Sequence, residues 1–252
     1  MLMKPSQRPL KYPNLPEKDV ASVIISGRAG EAIKSLEAKG ITCIKSGDNP
    51  FLSPLISSHA DMNYCNYSEG VLYKFFDNTA GEWSREFNIF SLTPPKNNSY
   101  PYDVTLNSVR IGNKIICNKK TVAPEILDRA FKDGLILIDS KQGYSKCSVC
   151  VLNENAIITD DVSIYNAAAP YFVSVTLISK GSVLLPGYDY GLIGGCTGLI
   201  GKDKLAFNGQ ILSHSDHNKI IDALTANCVN AIELSVNRLE DIGSILPLTE
   251  KI

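Results

Sequence analysis

Asp103-Val-Thr-Leu-Asn-Ser-Val-Arg-Ile-Gly112 leads directly into Asn113-Lys-Ile-Ile-Cys117, and together they read as a β-hairpin, two short strands joined at a glycine. The same form recurs three times. Asp61-Met-Asn-Tyr-Cys-Asn-Tyr-Ser-Glu-Gly70 leads into Val71-Leu-Tyr73, and Lys146-Cys-Ser-Val-Cys-Val-Leu-Asn-Glu-Asn155 into Ala156-Ile-Ile-Thr159. Leu192-Ile-Gly-Gly-Cys-Thr-Gly-Leu-Ile-Gly201 leads into Lys202-Asp-Lys-Leu-Ala-Phe207. Each ten-residue run ends on Gly or Asn, the residues that reach positive φ at least steric cost. The runs begin at 61, 103, 146 and 192, so successive units lie 42, 43 and 46 residues apart. A period of that length marks a repeated supersecondary unit.

Between the hairpins a helix and a further strand also recur. Ala123 to Gly134 has Pro at a helix start, apolar Ile126, Leu127, Ala130 and Phe131 at helical spacing, and Gly at the stop, ahead of the strand Leu135-Ile-Leu-Ile138. His214 to Leu224, with Ser215 or Asp216 as cap, precedes Val229-Asn-Ala-Ile-Glu-Leu234, and Gly30 to Gly40 precedes Ile41-Thr-Cys-Ile44. Residues 77–99 and 161–182 fit the pattern least. Leu239 to Leu248 reads as a strand with no helix after it, while Val20-Ala-Ser-Val-Ile-Ile25 has the helix and strand but lacks a hairpin. Joined, the two segments make a fifth unit. The expected fold class is therefore α/β, a five-fold α/β propeller of hairpin-helix-strand repeats forming one domain over residues 1–252. Its hairpins fall near 61–75, 103–117, 146–159, 192–207 and 239–250, the last completed by 20–46. Closure into a ring removes exposed sheet edges.

Composition bounds the partners. The 252 residues are 44% apolar and 20% charged, with 25 basic against 26 acidic residues and a net charge of −1. No basic run exceeds Lys119-Lys120, so neither nucleic acid nor an anionic membrane is expected as a partner. The strongest apolar run, Val173 to Leu185, is broken by Ser179-Lys-Gly-Ser182 and cannot span a bilayer. With no apolar block of a signal peptide near Met1, a cytoplasmic location is expected. Seven cysteines at scattered spacing read as reduced thiols, with Cys228 a buried hydrophobe. Cys147 and Cys150, three apart on a strand, point to opposite faces and make neither a zinc knuckle nor a redox pair. His214-Ser-Asp-His217 reads as a capped, solvated helix start rather than a metal cluster, and no metal or organic cofactor is expected. Gly27-Arg-Ala-Gly30 ahead of a helix is a weak anion-binding signal. Tyr188-Asp-Tyr190 and Tyr100-Pro-Tyr-Asp103 set aromatics beside carboxylates, a mixture suited to a cation.

A ring of five hairpin-helix-strand units in a chain of this length resembles the pentein fold of the guanidino-group-modifying superfamily, which holds deiminases, dimethylarginine hydrolases, amidinotransferases and a non-catalytic ribosome anti-association factor. The resemblance implies a cysteine nucleophile, a histidine acid/base and carboxylates that hold a guanidinium at the mouth of the ring. On alternating strands the first, third and fifth positions of each hairpin share that face, giving Asp61, Asn63 and Cys65, then Asp103, Thr105 and Asn107, then Lys146, Ser148 and Cys150, then Gly194 and Cys196, with Asp241 in the fifth unit; Asp61, Asn63, Asp103, Lys146 and Asp241 are the candidate ligand-binding residues. Asp61 falls where the family's first guanidinium-binding Asp would stand, although Ala60 replaces the Arg that usually precedes it. His59 faces inward by alternation from Asp61. Cys196, after Gly194-Gly195, is the candidate nucleophile and His59 its proton shuttle. Lys146 and Cys147 stand where the family's histidine is expected, and the last hairpin carries no cysteine. Two functions follow. The first is binding of a small cationic or polar ligand, or of a partner, at the axial pocket without the usual catalytic pair. The alternative is an amidine or guanidine hydrolase or transferase acting through Cys196.

Overall fold

The computed structural model describes residues 6–75 and 82–252. The chain begins with β1 (Gln7–Pro9), β2 (Val20–Ser26), α1 (Gly30–Ala38) and β3 (Thr42–Ser46). The helical turn α2 (Ala60–Asn63) then opens the first repeat, β4 (Tyr64–Ser68), β5 (Val71–Lys74) and β6 (Asn88–Ser91), with a 3₁₀ turn at Glu82–Glu86. The second repeat is β7 (Val109–Ile111), β8 (Lys114–Cys117), α3 (Pro124–Lys132) and β9 (Ile136–Asp139). The third is β10 (Val149–Asn153), β11 (Ala156–Thr159), α4 (Val162–Ala168) and β12 (Ser174–Leu177). The fourth is β13 (Thr197–Gly201), β14 (Lys204–Phe207), α5 (His217–Ala226) and β15 (Asn230–Glu233), and β16 (Leu246–Lys251) follows. Residues 161–182, which fit the sequence pattern least, thus form the same helix and strand as their counterparts. Part of 77–99 lies outside the described residues.

Four of the five sheets share one topology: an antiparallel hairpin, then a third strand parallel to the hairpin's second strand. The fifth sheet has the order β1-β16-β2-β3, and β16 takes the hairpin role by pairing antiparallel with β2. Leu246 faces Ile24 across that pair, while β2 and β3 run parallel. The two distant segments therefore complete a unit, and the architecture is the expected α/β propeller. The regular strand of this unit starts only at Leu246. Residues 239–245 are irregular, tied by a bridge from Leu184 to Glu240.

Helix ends explain one surprise. Gly40 and Gly134 take φ of 76° and 65° just after α1 and α3. The following amides, Ile41 and Leu135, reach back to Leu36 O and Ala130 O at 3.1 and 2.9 Å, a Schellman closure. After α5 the same bond runs from Val229 N to Leu224 O at 2.9 Å, but Cys228 holds the left-handed position with φ 55°. Cys228 is exposed as a result, which corrects its expected burial. At the hairpin turns Gly70 and Gly112 take positive φ, whereas Asn155 does not: its amide donates to Asn153 Oδ1 at 2.8 Å, an Asx turn doing the same work.

Each helix covers its sheet with a narrow apolar stripe. Ile126 and Ala130 of α3 are buried, while Phe131, one residue further round the helix, is 87% exposed. On α5 the stripe is Ile220, Ala223 and Leu224, and on α1 it is Ala32, Ile33 and Leu36. Each fully buried aliphatic side chain contributes about 1.5–3 kcal/mol. No described helix is long and apolar enough to cross a membrane.

Candidate ligand-binding site at the ring centre

The residues that precede each hairpin are not extended. Asp61 and Asn63 lie in α2, Asp103 and Lys146 in turns, and Ile193–Cys196 forms a 3₁₀ turn. Neighbours two apart therefore diverge instead of sharing a face, and the alternation expected here fails. Asp61 points to the ring centre, whereas Asn63 turns away. Its amide donates to Ser57 O and His59 O at 2.8 and 2.9 Å, and its oxygen accepts from Asn49 at 2.8 Å. Asn63 is a buried brace for the 49–59 segment and borders none of the cavities described below.

Asp61 anchors a network to which all five units contribute. Ser244 Oγ donates to Asp61 Oδ2 at 2.5 Å and lies 2.8 Å from Gly194 O. A hydroxyl carries one proton, so it donates to only one of these at a time. Lys146 Nζ donates to Ser244 Oγ at 3.1 Å, and the Cys147 thiol donates to Asp61 Oδ2 at 3.1 Å. Asn107 closes the circle: its amide donates to Cys147 Sγ and Asp61 O, and its oxygen accepts from Lys146 N at 2.7 Å. Glycines make this convergence possible. A Cβ on Gly194 would meet the carbonyls of Lys146, Cys147 and Val149, and one on Gly195 would meet the Asp241 carboxylate. Ser244 itself sits at φ 68°, a strained value for a residue with a side chain.

Burial sets the protonation of this centre. It raises Asp61 above the usual carboxylate range, and the Asp241 charge raises it further. Burial likewise raises Asp241, to about 6, against the amides of Gly243 and Leu192 that donate to its two oxygens at 2.9 and 3.0 Å. Burial lowers His59 and Lys146, partly offset in both by Asp61. His59 is thus neutral at pH 7, with Nδ1 3.8 Å from Asp241 Oδ1. Asp61 Oδ1 has no hydrogen-bond partner among the described residues.

Above the network opens a cavity of about 300 Å³. His59, Met62, Cys147 and Asp241 line it, together with Gln142 and Tyr144. The loop before the fourth repeat supplies the remainder of the polar wall, Tyr188, Asp189 and Tyr190. That loop leans on the 51–57 segment: the Tyr188 hydroxyl donates to Ser53 Oγ at 3.3 Å. Asp103 stands behind this wall and accepts from the Tyr144 hydroxyl at 2.8 Å, with its pKa raised by burial.

The structure brings together His59, Asp61, Lys146 and Asp241, and holds Asp103 one side chain away. It does not bring Cys196 to them. Cys196 is wholly buried in the apolar core, its thiol turned to its own Ile193 O at 3.2 Å, and burial pushes its pKa far up. No described cavity borders it, which corrects its expected role as nucleophile. The thiol at the cavity is Cys147. Its neighbour Asn107 stands on the inward face by alternation, whereas Ser244 carries no local signal, because helical turns and the close passage of five distant segments leave no local pattern. His214 is buried rather than solvated, accepting from Asp216 N at 2.9 Å, and His217 Nδ1 lies 3.0 Å from His214 O.

Residues 24–246 match the sequence profile of DUF6873, a family of unknown function. The chain belongs to the DUF6873 family. No curated protein matches this DUF6873 chain in sequence. In structure it is similar to an inosamine-phosphate amidinotransferase from Streptomyces griseus, at 9% identity, covering 97% of each chain with a TM-score of 0.58. It is also similar to SxtG, an amidinotransferase of the saxitoxin biosynthetic pathway from Microseira wollei, at 12% identity, 96% and 97% coverage and a TM-score of 0.54. A third similar structure is DDAH from Pseudomonas aeruginosa complexed with citrulline, at 10% identity, 93% and 100% coverage and a TM-score of 0.53. The DUF6873 chain thus has the pentein fold of guanidino-modifying enzymes.

Proposed function

We propose that this pentein protein binds a small cationic molecule in the cavity above the Asp61 network. The observation that carries the reading is the charge of the wall. Asp189 and Asp241 line the cavity, and among the described residues no Lys or Arg does, while the one lining histidine, His59, is neutral. Lys146 lies beneath the floor, where Ser244 and the Asp61 field hold it. A pocket lined by carboxylates and by no cationic side chain favours cations over neutral or anionic molecules of equal size. In this reading Asp241 and Asp189 attract the ligand, Asp61 and Lys146 keep the floor rigid, and Asp103 orients Tyr144. Thermal shift and calorimetry against matched cations and carboxylates at constant ionic strength test it. Cations should stabilise the protein, by about 2.7 kcal/mol at a hundredfold excess over Kd, and Asp189→Lys should remove the effect. Stabilisation by carboxylates alone would refute it.

A second reading is favoured by Cys147, which lines the cavity and whose thiol lies 3.1 Å from Asp61 Oδ2. In an amidine hydrolase or transferase built on this pair, the thiol proton passes to Asp61 as sulfur bonds to the amidino carbon. The C–N bond to the amine breaks and the same proton leaves with it; water or an acceptor amine then adds to the amidino carbon, the C–S bond breaks, and the proton lost by that nucleophile returns through Asp61 to the thiolate. Burial holds the Cys147 thiol well above its ordinary pKa, which ranks this reading second. Incubation with a haloacetamidine followed by peptide mass spectrometry decides it: an adduct on Cys147 supports it, and an unmodified Cys147 excludes it.

A further inference from the structure

The polar groups of the cavity wall are mostly engaged by the protein itself, and this narrows the ligand. Asp241 uses one oxygen for Gly243 N and the other for Leu192 N. Gly191 and Gly195 pack so tightly on it that a Cβ on either would strike the Asp241 side chain. The Tyr144 hydroxyl proton goes to Asp103 and that of Tyr188 to Ser53. Gln142 is used at both ends, donating to Asp161 at 3.0 Å and accepting from Tyr144 N at 3.0 Å. What the cavity keeps available is the tyrosine ring surface that Tyr100 and Lys180 leave uncovered, the aliphatic groups of Met62 and Leu185, and one carboxylate. That carboxylate is Asp189, exposed at the mouth and engaged by no hydrogen bond or ion pair among the described residues.

A guanidinium brings five N–H donors in a rigid plane and loses affinity for each one left unpaired in a dry site. A methylated ammonium has none or one to satisfy. Its charge is spread over methyl groups that pack against aromatic faces, and ring quadrupoles meet that charge directly. One ring already receives an ammonium: Lys180 Nζ stands 6.0 Å from the centroid of Tyr190 while paired to Asp161 at 3.2 Å. Ile56, Met62, Leu185 and Leu192 also line the cavity and give it apolar surface for a short alkyl arm.

We infer that the cavity takes a methylated ammonium ion, of the tetramethylammonium or choline kind, with Tyr144, Tyr188 and Tyr190 meeting its face and Asp189 its charge. The inference rests on the cation-binding reading above and departs from guanidino chemistry. Neutral His59 at the floor adds no repulsion.

The test is calorimetry of the full chain with tetramethylammonium, choline, guanidinium and agmatine as chlorides at fixed ionic strength. The methylated ions should bind at least tenfold tighter than the two guanidino compounds. Tyr190→Leu should weaken choline about tenfold and Tyr190→Phe less than twofold, since only the ring is used. Asp189→Asn should weaken it about fivefold. Tyr190 and Asp189 are exposed, so the variants keep the fold, and circular dichroism verifies this. Tighter binding of agmatine than of choline would overturn the inference while leaving the cation reading intact. Choline binding unaffected by Tyr190→Leu would overturn it too. Failure of all four cations would sink both.

Discussion

Cys147 and Cys196 each sit in the turn that opens a hairpin, one unit apart, yet their surroundings are opposite. Cys147 is held between Asp61 and Asn107 and borders a cavity, whereas Cys196 is sealed among aliphatic side chains with its thiol on its own turn. The difference comes from the glycines. Gly194 and Gly195 let the fourth turn press against the third, where Gly195 N donates to Cys147 O at 2.9 Å, and this carries Cys196 past the ring centre into the core. The hairpin registers match Asn153 with Gly201, so Gly195 is the counterpart of Cys147 and Cys196 that of Ser148: adjacent positions of the same turn meet opposite surroundings.

The largest expected effect breaks the contrast at its origin. Gly194→Ala would drive a Cβ onto three backbone carbonyls that cannot rotate away. It should cost about 4 kcal/mol in urea unfolding, and a loss below about 1 kcal/mol would show that the close approach is dispensable. Next comes Asp160, whose Oδ2 accepts from Ile193 N in the same turn and whose pKa burial raises to about 7. A raised carboxyl contributes stability that is complete below its unfolded pKa and is lost as pH rises through the folded one. The protein should therefore be less stable at pH 8 than at pH 5 by this group's share. Asp160→Asn should recover about 2–3 kcal/mol at pH 8 and almost nothing at pH 4, measured from urea midpoints at each pH. Equal effects at both would disprove the raised pKa.

Smaller effects sharpen the thiol comparison itself. Native-state iodoacetamide labelling should reach exposed Cys228 first, half-buried Cys43 next and Cys147 later, with Cys196 reacting only at the rate of global unfolding. Saturating choline should slow Cys147 about tenfold and leave Cys196 unchanged, and parallel protection of both thiols would erase the distinction. Least of all, cation affinity should fall about threefold from pH 7.5 to pH 5.5 as Asp241 takes a proton near pH 6, a trend that calorimetry would read and Asp241→Asn would flatten.

The repeat was legible because its signals are local: hairpins at 42, 43 and 46 residue steps, and glycines at the helix stops. Closure by the two distant segments was legible from what each lacked. In the site the titratable residues near a unit's start, His59, Asp61, Lys146 and Asp241, were legible. Ser244 and Cys147 were not, since whether a turn ahead of a strand is helical or extended depends on the packing of five units at one centre. That misjudged turn moved Asn63 and Cys196 to the wrong face and hid Cys147. Tyr188-Asp-Tyr190 carried a visible cation signal, and it lies on the cavity wall.

The pairing of Leu246 with Ile24 also gives the molecule a history. Every residue of β2 is buried, yet the strand that covers one of its edges is translated after all four intact repeats. During synthesis β2, α1 and β3 must wait with an open apolar edge while the later units emerge and fold, the condition in which nascent chains mispair and recruit chaperones. The ring is thus sealed last, by a strand whose arrival sets when the cavity first exists: Ser244, which bonds Asp61, and Asp241, which lines the wall, both lie within a few residues of β16.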